Sequence, residues 1–205
     1  GQIALNRAGI SYGKYYASEI DIHAIKVTQH NYPNTIQLGS VTEIKGTDLP
    51  QVDLLIGGSP CQGFSFAGKQ LNFEDPRSKL FFEYARLLNE LKPKYFLLEN
   101  VRMKKESQDI ISKYLGVEPI EINSNLVSAQ NRRRLYWTNI PNIEQPSDKG
   151  ILLKDIIIDG AIDCRMTTED KAYALTASYN GAVAWNSIEK KQRTIILDAV
   201  NGKKV

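Results

Sequence analysis

The fold of this chain is indicated first by one stretch, Gly57-Gly58-Ser59-Pro60-Cys61-Gln62-Gly63-Phe64-Ser65. It follows the apolar run 52–56, which predicts a short buried strand of a parallel sheet. We expect the chain to leave that strand through a Gly-Gly turn and to present Cys61 at the strand's carboxyl end, where open α/β sheets carry their chemistry. Pro60 restricts the backbone beside the thiol. Cys61 is therefore a candidate nucleophile; the alternative is a free cysteine that serves only as a small apolar residue.

A carboxylate is expected at the same edge of the sheet. Residues 94–99 predict a second buried strand that ends on Glu99, and residues 78–91 before it predict an amphipathic helix. Two adjacent parallel strands would present a thiol and a carboxyl group to one cleft. The alternative for Glu99 is a surface or helix-capping carboxylate. The polar segment 64–76 between the two motifs predicts a loop.

The first part of the chain predicts another strand–helix–strand unit. Residues 14–20 predict a strand, Asp21 is placed as the N-cap of a helix over 22–30, and residues 35–38 predict the next strand. An acidic residue at the end of a strand in a doubly wound fold often accepts hydrogen bonds from a ribose. Glu19 occupies that position, although an ordinary exposed glutamate is the alternative.

Three consecutive arginines precede an apolar and aromatic strand. In a strand that runs through Arg132, Arg133 and Arg134, alternation places the first and third on one face and the second on the other. A general phosphate-binding patch is the alternative for such a run. The proline-containing segment 141–147 predicts a linker, and the pattern changes beyond it, with a strand expected over 194–200.

Composition limits the classes of protein that this chain can represent. The 205 residues are 42% hydrophobic and 24% charged with a net charge of +3, which is compatible with a polyanionic partner. No apolar stretch approaches the length of a membrane span. With Cys61 and Cys164 as the only cysteines and two histidines, no zinc site and no disulfide are predicted. A reduced, cytoplasmic chain is expected.

Three motifs resemble those of DNA (cytosine-5)-methyltransferases. They are Pro60-Cys61-Gln62, Glu99-Asn100-Val101 and the Gln-x-Arg-x-Arg pattern of 130–134, and they occur in the family's order. The resemblance implies an α/β fold with a doubly wound, mostly parallel, Rossmann-like sheet. It also implies transfer of a methyl group from S-adenosyl-L-methionine to C5 of cytosine in duplex DNA, through a covalent bond between Cys61 and C6 of a flipped base.

The resemblance also assigns individual residues. It implies catalytic roles for Cys61, Glu99, Arg132 and Arg134. It implies cofactor contacts for Glu19, Ile20, Ser40, Val41, Pro60 and Leu80, and DNA contacts for Gln62, Ser65, Lys69, Arg77 and Thr176. At Ser40 the family usually has an aspartate, so the contact to the adenine amino group would here come from a hydroxyl.

The resemblance divides the chain into a catalytic, cofactor-binding domain over 1–140 and part of a target-recognition domain over 141–205. The family's first strand is expected to precede Gly1, and its last Gly-Asn motif to follow Val205. Expected partners are double-stranded DNA and, in a restriction–modification system, a cognate endonuclease, with no metal, no membrane and a monomeric protein. The expected location is the cytoplasm of a bacterium or of a phage-infected host.

Three other functions compete with this assignment. A nucleotide-binding oxidoreductase would share the fold, but the chain contains no Gly-x-Gly-x-x-Gly. A thiol hydrolase would need Cys61 paired with His23 or His30, which lie on an early helix. A third alternative is a truncated, catalytically inactive methyltransferase-like module that only binds DNA.

Overall fold

The structure is a computed structural model that describes residues 1–59, 76–156, 160–162, 171–173 and 196–198. Within these ranges the helices are α1 (Gln2–Arg7), α2 (Ile22–Asn31), α3 (Pro76–Leu91) and α4 (Lys105–Leu115). The strands are β1 (Tyr16–Ala17), β2 (Ile36–Gln37), β3 (Leu54–Gly58), β4 (Tyr95–Val101), β5 (Ile120–Asn123), β6 (Gln130–Asn131), β7 (Arg133–Thr138), β8 (Gly160–Ile162), β9 (Ala172–Tyr173) and β10 (Ile196–Asp198). No described helix is long and apolar enough to cross a membrane.

Parallel strands joined by helices dominate the first 101 residues. β1 pairs with β2 in parallel across α2, and β3 pairs with β4 in parallel across α3. β3 and β4 belong to a four-stranded sheet with the order β3-β4-β7-β5. β6 pairs with β9 in parallel, and β8 pairs with β10 antiparallel. The α/β class follows from these β-α-β units, in which a helix provides the crossover that a parallel connection needs.

The chain divides into two compact units. The first comprises Gly1–Ile120 and Leu135–Pro141, and the second comprises Glu121–Arg134 and Asn142–Val205. The functional division at residues 140 and 141 stays a prediction.

The core of the first unit lies between the helices and the sheet. Burial alternates along β4, where Phe96, Leu98 and Asn100 are the buried positions, as period-two side-chain alternation requires. The indole of Trp137 is fully buried and donates a hydrogen bond to Ser112 Oγ over 3.0 Å. The buried cluster consists of Phe81, Tyr84, Phe96, Leu98, Ile111, Leu115, Leu135 and Trp137.

The predicted Gly-Gly turn after the first motif strand is wrong. Gly57 and Gly58 are strand residues of β3 and pair with Leu98 and Glu99. The reason is tertiary packing: a Cβ atom on Gly57 would lie 2.5 Å from Cδ2 of Tyr84, so the glycine lets the tyrosine ring pack on the strand. The same packing buries Tyr84 and raises its pKa well above the ordinary value.

Other predicted elements agree more closely with the structure. Asp21 caps α2 as predicted, since its Oδ1 accepts hydrogen bonds from the backbone N–H groups of His23 at 2.7 Å and Ala24 at 3.2 Å. The strand predicted over 14–20 is shorter and covers Tyr16–Ala17. The strand predicted over 194–200 is confirmed at its centre by β10. Of the predicted loop 64–76, all but Pro76 lies outside the described residues.

The glycine pair of β3 supplies a stability test. Gly57→Ala is expected to lower the free energy of unfolding by about 1–3 kcal/mol, because the added methyl group overpacks the site against Tyr84. Gly58→Ala is the matched control, since its Cβ would meet Glu99 Oε2 at 3.4 Å, an ordinary contact distance. Chemical denaturation of both variants measures the difference. Equal losses would contradict the packing role of Gly57.

Candidate active site

Glu99 lies at the carboxyl end of β4, beside the end of β3. It pairs in register with Gly58, and a Cβ atom on Gly58 would lie 3.4 Å from Glu99 Oε2. Cys61 follows Gly58 by three residues in the chain. Cys61 itself lies outside the described residues. The backbone places Glu99 level with the end of β3, and its approach to Cys61 stays a prediction.

Asn100 connects the two strand ends, a role that no sequence pattern predicted. It is 2% exposed, and its Nδ2 donates to the backbone oxygen of Ser59 at 3.1 Å and to Ser59 Oγ at 3.2 Å. Its Oδ1 accepts from the N–H of Val101 at 2.8 Å. Strand alternation could have signalled this residue, because a polar side chain next to Glu99 must occupy the opposite face of β4.

A second edge is formed where β1 and β2 end. Ala17 pairs with Gln37, and Ser18 Oγ donates to the backbone oxygen of Gly39 over 2.9 Å. Glu19 therefore follows one strand of this pair, and Ser40 follows the other. Ser40 Oγ lies 2.8 Å from Thr42 Oγ1. The structure thus brings the predicted ribose acid and the predicted adenine contact to one strand edge.

Glu19 and Ile20 have different environments at this edge. Glu19 Oε1 accepts hydrogen bonds from the N–H groups of Ile20 at 2.8 Å and Asp21 at 2.9 Å, which orients the carboxylate. The side chain of Ile20 is 77% exposed. An oriented carboxylate next to an exposed apolar side chain suits a ligand with a diol and a flat ring.

Arg86 of α3 holds the loop that follows Ser40, a contact that no sequence pattern predicted. Its guanidinium donates to the backbone oxygens of Val41 at 3.3 Å and Ile44 at 2.8 Å and to Glu90 Oε1 at 2.8 Å. Hydrogen bonds from Arg86 and from the N–H of Gly46 lower the pKa of Glu90. The carboxylate therefore stays ionised at neutral pH and loses this stabilising interaction only on acidification. Leu80 lies half-buried on the same helix.

The arginine motif lies in the second unit. Arg132 is exposed and lies between β6 and β7. The prediction that one continuous strand runs through Arg132, Arg133 and Arg134 is therefore wrong, and with it the alternation from which Arg132 and Arg134 were predicted to share a face. The N–H of Arg132 donates to Asn123 Oδ1 at 3.0 Å, and its carbonyl accepts from the N–H of Ser124 at 3.1 Å. Arg133 approaches Glu121 Oε1 at 3.7 Å. The contacts with Asn123 and Ser124 hold the backbone of Arg132.

Several predicted site residues are not described by the structure. They are Pro60, Cys61, Gln62, Ser65, Lys69, Thr176 and the side chain of Arg77. Among the described residues, no group of three or more His, Cys, Asp or Glu is arranged to hold a metal ion.

The family model for C-5 cytosine-specific DNA methylases matches residues 1–148. The chain belongs to this family. It is 38% identical over 167 residues to the type II methyltransferase M.NgoBV of Neisseria gonorrhoeae, covering 71% of the chain and 40% of that relative. It is 42% identical over 178 residues to the type II methyltransferase M1.ScrFI of Lactococcus lactis subsp. cremoris, covering 77% and 46%. The orphan methyltransferase M.SPRI of Bacillus phage SPR is 37% identical over 152 residues, covering 68% and 35%.

A solved structure confirms the fold of this cytosine methylase chain. The protein, described as a DNA modification methyltransferase encoded within a prophage (E. coli), aligns with a TM-score of 0.54 at 21% identity and covers 97% of the chain and 74% of the solved one. The predicted methyltransferase-type α/β fold and the predicted family are both confirmed. The chain spans less than half the length of the three curated relatives named above.

The contacts of Asn100 lead to a test with a control in the same strand. Asn100→Ala is expected to lower the free energy of unfolding by about 1–3 kcal/mol, because it leaves the Ser59 carbonyl without its donor. If Cys61 forms the predicted covalent bond to cytosine, the substitution should also slow that step, since Ser59 precedes Cys61 by two positions. The rate of covalent adduct formation with DNA measures the second effect.

Asn139→Ala is the matched control for this prediction. Asn139 makes a similar pair of contacts at the other end of β4, where its Oδ1 accepts from the N–H of Phe96 at 2.8 Å and its Nδ2 donates to the Lys94 carbonyl at 3.0 Å. Its removal should affect stability and leave the adduct rate unchanged. A similar slowing in both variants would refute the positioning role of Asn100.

Proposed function

We propose that this chain carries the catalytic part of an enzyme that transfers a methyl group from S-adenosyl-L-methionine to C5 of cytosine in duplex DNA. The observation that supports it most directly is the pairing of Gly58 with Glu99, which brings a carboxylate to the strand edge from which the Cys61 segment leaves. Membership of the cytosine methylase family supplies the reaction class. The alternative, an inactive module that only binds DNA, predicts no chemistry at Cys61.

Cys61 acts as the nucleophile in this proposal. Its thiolate adds to C6 of the cytosine, which makes C5 an enamine-like carbon able to attack the sulfonium methyl group. Methyl transfer to C5 releases S-adenosylhomocysteine. A base then removes the C5 proton, and the electrons of that bond re-form the C5–C6 double bond as the Cys61 sulfur leaves. The Cys61 thiolate is thereby regenerated, and no oxidant or reductant is needed.

Glu99 and the arginines handle the charge that develops on the base. Glu99 hydrogen-bonds N3 and the exocyclic amine and shares a proton with N3 as Cys61 adds. Arg132 and Arg134 orient the base and offset negative charge. The target nucleotide must leave the duplex to reach these groups, at a cost of a few kcal/mol.

The edge where β1 and β2 end is suited to the methyl donor. Glu19 would accept hydrogen bonds from the ribose hydroxyls, since a carboxylate that already accepts two backbone bonds retains further acceptor sites. Ile20 would cover one face of the adenine, and Ser40 would contact its amino group. Val41, Pro60 and Leu80 would complete the lining. S-adenosyl-L-methionine supplies the electrophilic methyl group.

The remaining assignments concern DNA and the cell. Gln62, Ser65, Lys69, Arg77 and Thr176 would contact DNA, and the net charge of +3 is compatible with such a partner. Residues 1–140 would provide catalysis and residues 141–205 part of target recognition. The enzyme would act as a monomer in the cytoplasm of a bacterium or an infected host. A cognate restriction endonuclease would accompany it in a restriction–modification system.

Covalent trapping tests the proposed reaction. The protein, within its whole reading frame, is incubated with S-adenosyl-L-methionine and duplex DNA that carries 5-fluorocytosine. Fluorine at C5 cannot leave as a proton does, so the Cys61–C6 bond persists after methyl transfer. We expect an adduct that survives denaturation with the wild-type protein.

Cys61→Ser is the control for the trapping experiment and should form no such adduct. An adduct whose formation needs both the donor and Cys61 would exclude the binding-only alternative. If DNA of many sequences gives no adduct while the protein still binds DNA, the enzymatic proposal is wrong.

The donor site is tested by a pair of isoleucines. Ile20→Ala is expected to raise the dissociation constant for S-adenosyl-L-methionine about 5–30-fold, because it removes the apolar surface that would cover the adenine. Ile22→Ala is the matched control, since this side chain is also exposed, at 56%, and lies two residues further along the chain. Calorimetric titration with the donor measures both variants. Equal weakening would place the adenine elsewhere.

A further inference from the structure

The ammonium group of Lys171 is surrounded by backbone carbonyl oxygens. Its Nζ donates to the carbonyl of Asn125 at 2.9 Å, to that of Ser128 at 3.2 Å and to that of Ile151. An ammonium group has three N–H donors, and here each has a carbonyl partner. The first two carbonyls lie 46 and 43 residues before Lys171 in the chain. A charged donor is therefore used to hold a distant loop.

The loop that Lys171 holds is the one that leads to Arg132. Asn123 Oδ1 accepts from the N–H of Asn125 at 3.2 Å and from the N–H of Arg132 at 3.0 Å. One side-chain oxygen thus joins the segment held by Lys171 to the arginine backbone. A shift of Asn125 would disturb the acceptor that Arg132 shares with it.

A second route reaches the carbonyl of Arg132. Ser128 Oγ donates to the carbonyl of Ser124 at 2.9 Å, and the N–H of Ser124 donates to the carbonyl of Arg132 at 3.1 Å. The residue after Lys171 strengthens this arrangement, because the N–H of Ala172 donates to the carbonyl of Ala129 at 2.6 Å. Both backbone groups of Arg132 are therefore connected to the Lys171 contacts.

We propose that Lys171 is a positioning residue for Arg132. Its ammonium group holds the segment 124–131 in the conformation that presents Arg132, which makes the residue before β9 part of the structure that places the arginine. The inference rests on the proposed function for its catalytic consequence, while its structural part stands on the contacts of the second unit alone. Hydrogen bonds from charged donors are stronger than neutral ones, so this single side chain can constrain the loop.

The test compares Lys171→Met with Lys154→Met. Methionine keeps an unbranched chain and removes all three donors, whereas Lys154 is an exposed lysine of the same unit. Native-state amide exchange of residues 124–132 is measured first. We expect it to accelerate about tenfold or more in Lys171→Met and to be unchanged in Lys154→Met. If Lys171→Met does not fold, Lys171→Gln, which retains two donors, takes its place.

The second measurement separates positioning from general support. The rate of adduct formation with 5-fluorocytosine DNA is measured for Lys171→Met, Arg132→Ala and the double variant. If Lys171 acts through Arg132, the first substitution slows the reaction by about tenfold or more and adds no further loss when Arg132 is absent. The dissociation constant for S-adenosyl-L-methionine should stay at its wild-type value.

The outcomes are distinguishable. Unchanged amide exchange in both lysine variants would overturn the proposal, whether or not the protein methylates DNA. Suppose amide exchange accelerates but the two substitutions slow adduct formation independently, so that their factors multiply in the double variant. That result would overturn the link between Lys171 and Arg132. If the wild-type protein forms no adduct, the proposed function fails, and the exchange measurement still decides whether Lys171 holds the loop.

Discussion

The parallel register between β3 and β4 determines where the candidate groups of the first unit lie. Because Gly58 pairs with Glu99, the strand that carries the carboxylate ends level with the strand from which the Cys61 segment leaves. Alternation along β4 then gives consecutive residues different tasks: Glu99 is half-buried beside Gly58, and Asn100 is buried and bonded to Ser59. A shift of one residue would exchange these two side chains between the faces.

Local patterns in the sequence predicted the elements that depend on neighbouring residues. Asp21 was recognised because an N-cap acts within three residues of itself. The edge position of Glu99 was predictable because an apolar run and the rule for parallel sheets suffice for it. The position of Gly57 inside β3 was not predictable, because a glycine pair indicates a turn when only its neighbours in sequence are considered. The reason for the glycine is its packing against the ring of Tyr84, which lies 27 positions further along the chain.

Residues that support the candidate site were missed for a related reason. Asn100, Arg86 and Lys171 each bond at least one backbone group that lies more than 40 residues away in the chain. No periodicity or spacing reports such contacts. The motifs in the sequence mark the proposed chemical groups, whereas the residues that hold them become visible only when the chain is folded. The arginine motif shows the same limit, because Arg132 groups with Glu121–Arg134 and the residues after 141 rather than with β1 to β4.

The supports share a physical feature: they hold main-chain atoms. Asn100 bonds the carbonyl of Ser59, Arg86 bonds the carbonyls of Val41 and Ile44, and Asn123 with Ser124 bonds both backbone groups of Arg132. A support of this kind does not depend on the side chain that it positions. Replacing Arg132 should therefore remove its guanidinium group and leave its backbone where it was, so a loss of the proposed activity can be assigned to the missing group. Replacing a supporting residue has the opposite effect, because the positioned side chain remains and only its position changes.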